Sequence, residues 1–160
     1  FFTTVHAATG SQKIVDSHNN KKLRLGRSTL NNIIPTTTGA TYSITKLIPE
    51  LSNKIIGTSI RVPVSGCSMV NLNITTDKST SLDNIFEIIK KYSKTRFKNI
   101  ISWVDDHCVS SDFIQNPHIS IFDYKASLEL NSNNFKLTLW YDNEWGYSNG
   151  VVKLIEKSIK

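Results

Sequence analysis

Val70, Leu72 and Ile74 alternate with Asn71, Asn73 and Thr75, and a period of two commits this stretch to a strand with one face buried. Further strand candidates lie at residues 1–7, 55–64, 67–76, 100–104, 120–130 and 135–141, the last two flanking an Asn-rich turn at Asn131–Asn134. Helical spacing is rarer. Ser81–Lys94 places Leu82, Ile85, Phe86, Ile89 and Tyr92 on one face, with Thr80 and Asp83 as the start signal. A short helix through Ile44, Leu47 and Ile48 stops at Pro49, and Pro35–Gly39 reads as the turn before it. Ser148 is the expected cap of a last helix that turns Val151, Val152, Ile155 and Ile159 inward. Strands outnumber helices and run in consecutive pairs. The expected fold class is therefore α+β: a mixed, largely antiparallel sheet with helices on one face. Residues 8–34 carry little periodicity and read as one long loop, a kind usually kept for function.

The 160 residues suffice for one domain with a core, and 39% hydrophobic with 20% charged residues fits a globular chain. No apolar run approaches the roughly 20 residues of a membrane helix. Thr3, Thr4 and His6 interrupt any secretory h-region, so no membrane association is expected. Cys67 and Cys108 offer neither a disulfide framework nor zinc spacing, which points to a reducing, cytoplasmic compartment. His18, His107 and His118 show no ligand spacing, and no metal is expected. There is no G-x-G-x-x-G, hence no dinucleotide-binding half within these residues. The formal charge of +6 admits nucleic acid, anionic small molecules or an ordinary basic surface. No nucleic-acid-binding motif is present, so nucleic acid is not an expected partner.

Several residues carry chemistry, each with a bland counterpart. His6 ends a strand beside the long loop and titrates near neutrality, but a lone histidine is as compatible with a structural role. Thr36, Thr37, Thr38 and Gly39 run into a helix start, where hydroxyls and backbone N–H groups hold an anion or simply cap the helix. Arg61, flanked by Ile60 and Val62, either faces solvent or grips an anion. Trp140 to Ser148 interleaves aromatics with Asp142, Asn143 and Glu144, as in a pocket for a planar ring or a packed strand-to-helix turn. Both cysteines read as buried and inert.

Together these segments resemble one family. Thr3-Thr4-Val5-His6-Ala7 with Thr9 and Gln12-Lys13 is similar to the active-site strand of glyceraldehyde-3-phosphate dehydrogenases. Ile33-Ile34-Pro35-Thr36-Thr37-Thr38-Gly39-Ala40 resembles that family's phosphate loop. Ile48-Pro49-Glu50-Leu51, Arg61-Val62-Pro63, Val109-Ser110-Ser111-Asp112-Phe113 and Trp140–Asn149 follow in the family's order. The pattern departs from the family at Val64-Ser65-Gly66-Cys67, at Ser127 and at Gly150, positions that touch packing and surface.

The resemblance implies that residues 1–160 are the C-terminal catalytic, phosphate-binding domain, with an S-shaped loop at 8–34. It places the NAD-binding domain and a Ser-Cys-Thr-Thr-Asn segment with the nucleophilic cysteine upstream of His6. It implies a phosphorylating, NAD-dependent oxidation of glyceraldehyde 3-phosphate with inorganic phosphate, in glycolysis. His6 is then the base beside the thiolate, and Thr9 and Arg61 hold the substrate phosphate. Thr38 and Gly39 hold the attacking phosphate, Asn143 bonds the nicotinamide amide, and Tyr147 packs near its ring. NAD is bound mainly by the upstream domain, and a homotetramer is implied. The chain alone is expected to be inactive. The alternative is a non-catalytic remnant or an oligomerisation module.

Overall fold

The alternating segment forms a strand in the computed structural model, which describes residues 1–19 and 21–159. Among them are seven strands, β1 (Phe2–His6), β2 (Ile34–Thr37), β3 (Gly57–Arg61), β4 (Ser68–Thr75), β5 (Ile101–Val104), β6 (Ser120–Asn131) and β7 (Asn134–Tyr141). The helices are α1 (Ala40–Leu47), α2 (Leu82–Lys94) and α3 (Trp145–Ile159). Parallel pairs (β1–β3, β5–β6) and antiparallel pairs (β2–β3, β4–β7, β6–β7) both occur, as in a mixed α+β sheet. The chain divides into two compact units, Phe1–Ser65 and Gly66–Lys160.

In the first unit the strand order is β2-β3-β1. β1 runs parallel to β3, with Phe2 opposite Gly57 and His6 opposite Arg61. The glycine is demanded by the ring across from it, since a Cβ at position 57 would lie 2.0 Å from Phe2 Cζ. Pro35–Thr37 is part of β2 rather than a turn. Pro35 pairs with Ile60 from the outer position in this order, where a missing N–H does little harm. The described residues between 8 and 33 form no strand and one 3-10 turn, Leu23–Gly26. Side chains tie this loop instead. Gln12 Nε2 donates to Thr29 Oγ1 (3.1 Å), and Asp16 accepts from Ser28 N (2.7 Å) and Arg27 Nε (3.0 Å). The Ser28 amide, with Arg27 beside it, holds the exposed Asp16 carboxyl below its ordinary range.

The second unit orders its strands β4-β7-β6-β5. β3 and β4, which read as a consecutive pair in the sequence, are not partners: β3 pairs with β1 and β2, and β4 pairs with β7. The face of α2 foreseen from its periodicity is the buried one. Phe86 packs with Phe122, Phe135 and Leu137, and Leu72, Ile74, Leu82, Ile85 and Ile89 close around them. The Phe86 ring stacks on Tyr124 at 4.4 Å and meets Trp103 edge-on at 5.3 Å. Tyr92 is displaced from this core and tilts against Phe97. Ser81 caps α2, its Oγ accepting from Asn84 N at 3.1 Å. Of the expected start signal, Asp83 accepts instead from the Tyr124 hydroxyl, because its place in the first turn faces β6.

Ser127 lies where the β6–β7 register shifts. Its hydroxyl donates to Asp123 O (2.5 Å) and accepts from Thr138 N (3.0 Å), so a side chain replaces the ladder bond that the bulge interrupts. α3 starts at Trp145, before the expected cap at Ser148. Its apolar stripe is not inward: Val151, Val152, Ile155 and Ile159 are 37%, 54%, 53% and 80% exposed. Periodicity reveals an apolar stripe but not what covers it.

Truncating the Phe86 ring tests this core. Phe86→Ala should lower unfolding stability by about 3–5 kcal/mol, read as a lower urea midpoint at unchanged slope.

Candidate functional site

The parallel pairing of β1 with β3 sets His6 directly opposite Arg61. Beyond their last residues the two chains stay joined, Val62 N donating to His6 O (3.0 Å) and Ala8 N to Val64 O (3.0 Å). The half-buried side chains of His6 and Arg61 meet, with an Arg61 guanidinium nitrogen 2.5 Å from His6 Nδ1. Ala7 O lies 2.8 Å from the same Nδ1 and 3.2 Å from the guanidinium. One ring nitrogen cannot serve both neighbours in one tautomer. Arginine only donates, so its bond requires a bare Nδ1 and a proton on Nε2. A bond to the Ala7 carbonyl requires the proton on Nδ1 and leaves Nε2 as the basic nitrogen. Arg61 therefore bears on which face of His6 is basic.

Thr9 starts a small turn. Its N–H donates to Gln12 Oε1 (3.0 Å), its hydroxyl meets Ser11 Oγ (3.0 Å), and Gln12 N returns to Thr9 O (2.9 Å). Thr38 follows β2 and accepts from Ala40 N at 3.1 Å, and Gly39 is the N-cap of α1. Gly39 has φ −81°, and a Cβ there would meet nothing within 4 Å, so the fold itself places no demand for glycine at this position. Register separates the two sets of candidate residues. Arg61 pairs with Ile34 at one end of β2 and Thr58 pairs with Thr37 at the other, roughly 10 Å away at strand rise.

In the second unit the chemistry gathers where β7 enters α3. Asp142, 8% exposed, accepts from Glu144 N (3.1 Å) and Trp145 N (2.7 Å) through Oδ1 and from Gln115 N (2.9 Å) through Oδ2. It is the cap of α3 that sequence reading placed at Ser148. Asn143 follows, its Oδ1 accepting from Ser68 Oγ at 2.5 Å. Tyr141, Asn143, Tyr147, Val151, Leu154 and Ile119 line a largely apolar cavity of about 480 Å³. Gly146 lets α3 close on the loop before β6, since a Cβ there would lie 2.8 Å from His118 O. Trp140 has the packing role expected of it, stacked on Phe113 at 5.3 Å and donating from Nε1 to Asp123 Oδ2 (2.8 Å), whereas Trp145 is half exposed. Sequence reading named Asp142 within the aromatic segment but not as an anchor, and it missed Ser68, which belongs to no quoted motif; both are buried.

Both cysteine thiols are shifted away from ionisation. Cys67 adopts a left-handed backbone (φ 57°) and is buried with Phe113 and Ile121. Burial, with Asp142 and Glu144 nearby, pushes its thiol up to about 11. Burial and then Asp112 and Asp106 raise Cys108 as well. No group of three or more His, Cys, Asp or Glu among the described residues is placed to hold a metal.

A strand-end histidine and arginine, hydroxyl-bearing bends at Thr9 and Thr38, and an apolar cavity edged by an amide are set in an α+β fold. The chain matches the family "Glyceraldehyde 3-phosphate dehydrogenase, C-terminal domain" over residues 1–143. It is 47% identical over 154 residues to the glyceraldehyde-3-phosphate dehydrogenase of Chlamydia pneumoniae, covering 96% of this chain and 46% of that protein. It is 46% identical over 153 residues to glyceraldehyde-3-phosphate dehydrogenase 1 of Caenorhabditis elegans, covering 96% and 45%, and 45% identical over 153 residues to the Colletotrichum lindemuthianum enzyme with the same coverage. The chain belongs to the glyceraldehyde-3-phosphate dehydrogenase C-terminal domain family. It spans a little under half the length of these relatives.

At pH 7.5 a thiol at about 11 holds roughly a hundredth of the thiolate of an ordinary cysteine. Iodoacetamide should leave Cys67 unlabelled in the folded chain and label it in urea, as mass spectrometry would show. Labelling of folded Cys67 at the rate of a free thiol would contradict the burial.

Proposed function

We propose that this chain supplies the catalytic and phosphate-binding part of a phosphorylating, NAD-dependent glyceraldehyde-3-phosphate dehydrogenase acting in glycolysis in the cytoplasm. The observation that carries the reading is the contact between His6 Nδ1 and the Arg61 guanidinium on adjoining strands. It joins an imidazole, the side-chain type suited to general-base work, to a permanent cation suited to a phosphate dianion. Charge supports the reading. Asp16 and Glu50 are the only acidic residues among the first 65, so the +6 of the whole chain resides in the unit with His6, Thr9, Thr38, Gly39 and Arg61.

Under this reading Thr9 and Arg61 bind the substrate phosphate, and Thr38 with Gly39 and the first N–H groups of α1 bind the attacking inorganic phosphate. Their separation along β2 suits two distinct anions. An anion engaged by Arg61 draws the guanidinium from Nδ1. Water then carries the Nε2 proton round to Nδ1, which bonds Ala7 O, and the bared Nε2 takes the proton of the hydroxyl that forms when the upstream thiolate adds to the aldehyde carbon. NAD, when bound, supplies the hydride acceptor. The second unit fits that group, since an apolar cavity edged by the Asn143 amide and Tyr147 suits a planar ring bearing a carboxamide. The nucleophilic cysteine and most of the NAD site belong to another part of the enzyme. The exposed stripe of α3 and exposed Ile14, Val15, Leu23, Leu30 and Ile33 on the long loop suit contacts with that part and with other subunits of a homotetramer.

In the complete dehydrogenase, His6→Asn should lower kcat about 10²–10⁴-fold with little change in NAD affinity. Arg61→Leu should raise KM for glyceraldehyde 3-phosphate at least tenfold. The purified 160-residue chain should form no NADH from that substrate and phosphate. Wild-type kcat in His6→Asn would remove His6 as the base, and a complete protein with no turnover at all would favour the non-catalytic alternative.

A further inference from the structure

We propose that Ser68 is a positioning residue that locks the Asn143 amide with its N–H₂ arm as the group offered to a bound ring, so that the site reads a carbonyl oxygen. The inference rests on the nicotinamide reading of the cavity given above and specifies how that ring is recognised.

Asn143 has little backbone freedom. The preceding Asp142 is buried and anchored to Gln115 N, and it accepts from the two residues that follow Asn143. What remains is rotation of the side-chain amide, whose two arms are alike in size and opposite in hydrogen-bonding sense. Ser68 addresses that rotation. It is 1% exposed, opens β4, and pairs in register with Tyr141 at the end of β7, so its Cα is fixed by the sheet. Its Oγ lies 2.5 Å from Asn143 Oδ1. That separation fits an O–H···O bond with the serine hydroxyl as donor. The hydroxyl therefore meets the oxygen arm. Nδ2, the other arm of an amide that lines the cavity, brings two donors and no acceptor. A ligand carbonyl satisfies a donor, whereas a ligand amino group would face N–H against N–H.

The test is equilibrium binding to the complete dehydrogenase, measured by titration calorimetry with three ligands: NAD, its 3-acetylpyridine analogue, which keeps the ring carbonyl but has no amino group, and ADP-ribose, which lacks the ring. The unaltered protein should bind the analogue about as well as NAD. Ser68→Ala should weaken both about three- to tenfold, the range expected for one lost orienting hydrogen bond, and leave ADP-ribose unchanged. On an Asn143→Ala background Ser68→Ala should have no further effect, a non-additivity that a general packing role would not produce. Asn143→Asp, which keeps an acceptor for Ser68 but has no N–H arm, should weaken NAD and the analogue and serves as the second probe if Ser68→Ala does not fold. The positioning role falls if Asn143→Ala weakens NAD while Ser68→Ala does not, or if ADP-ribose weakens equally in Ser68→Ala. Donor recognition falls if Asn143→Asp binds NAD as the parent does. If Asn143→Ala leaves NAD unchanged, the nicotinamide reading itself fails, and the inference with it.

Discussion

The buried carboxylate of Asp142 is the interaction on which the cavity-bearing unit depends. A charged group removed from water must be fully hydrogen-bonded or it destabilises its surroundings. Three backbone N–H groups meet that demand, those of Gln115, Glu144 and Trp145. In doing so they fix the start of α3, the turn before β6 and the position of Asn143 between them. A negative group at a helix N-terminus also complements the helix dipole. Tyr147 and the cavity wall from Val151 to Leu154 follow from where that helix begins.

The other unit is organised differently. Its buried apolar residues are few, Phe2, Ala7 and Ile34, and many of its enclosed groups are polar, among them Thr4, Gln12, Thr29 and Ser59. Strand pairing and side-chain bonds to the backbone carry its geometry. Parallel register places His6 and Arg61 side by side, and the Gln12–Thr29 bond gathers the long loop near Thr9. Such a unit trades apolar burial for a cationic, hydroxyl-rich surface.

Legibility in the sequence followed the physics of each element. The face of α2 was readable because its period of 3.6 matches the packing that buries it, and the β6–β7 hairpin because alternating strands flank an Asn-rich turn. Caps were less readable. Thr80, Ser81, Asp83 and Ser148 all have capping chemistry, and only the three-dimensional path of the chain selects Ser81 for α2 and Asp142 for α3. Pro35 signals a turn by type but sits in an outer strand, where its missing N–H is harmless.

The sequence by itself determined the family and the identities of the candidate ligands, because motif order and residue type survive without coordinates. It also determined that one region is cationic, since charge is a property of composition. Only the tertiary structure decided which groups touch: Arg61 on His6 Nδ1, Ser68 on Asn143 Oδ1, and Ser127 across the β6 bulge. These contacts join residues far apart in the chain through strand register, and register is set by pairing across the fold rather than by any local run of residues.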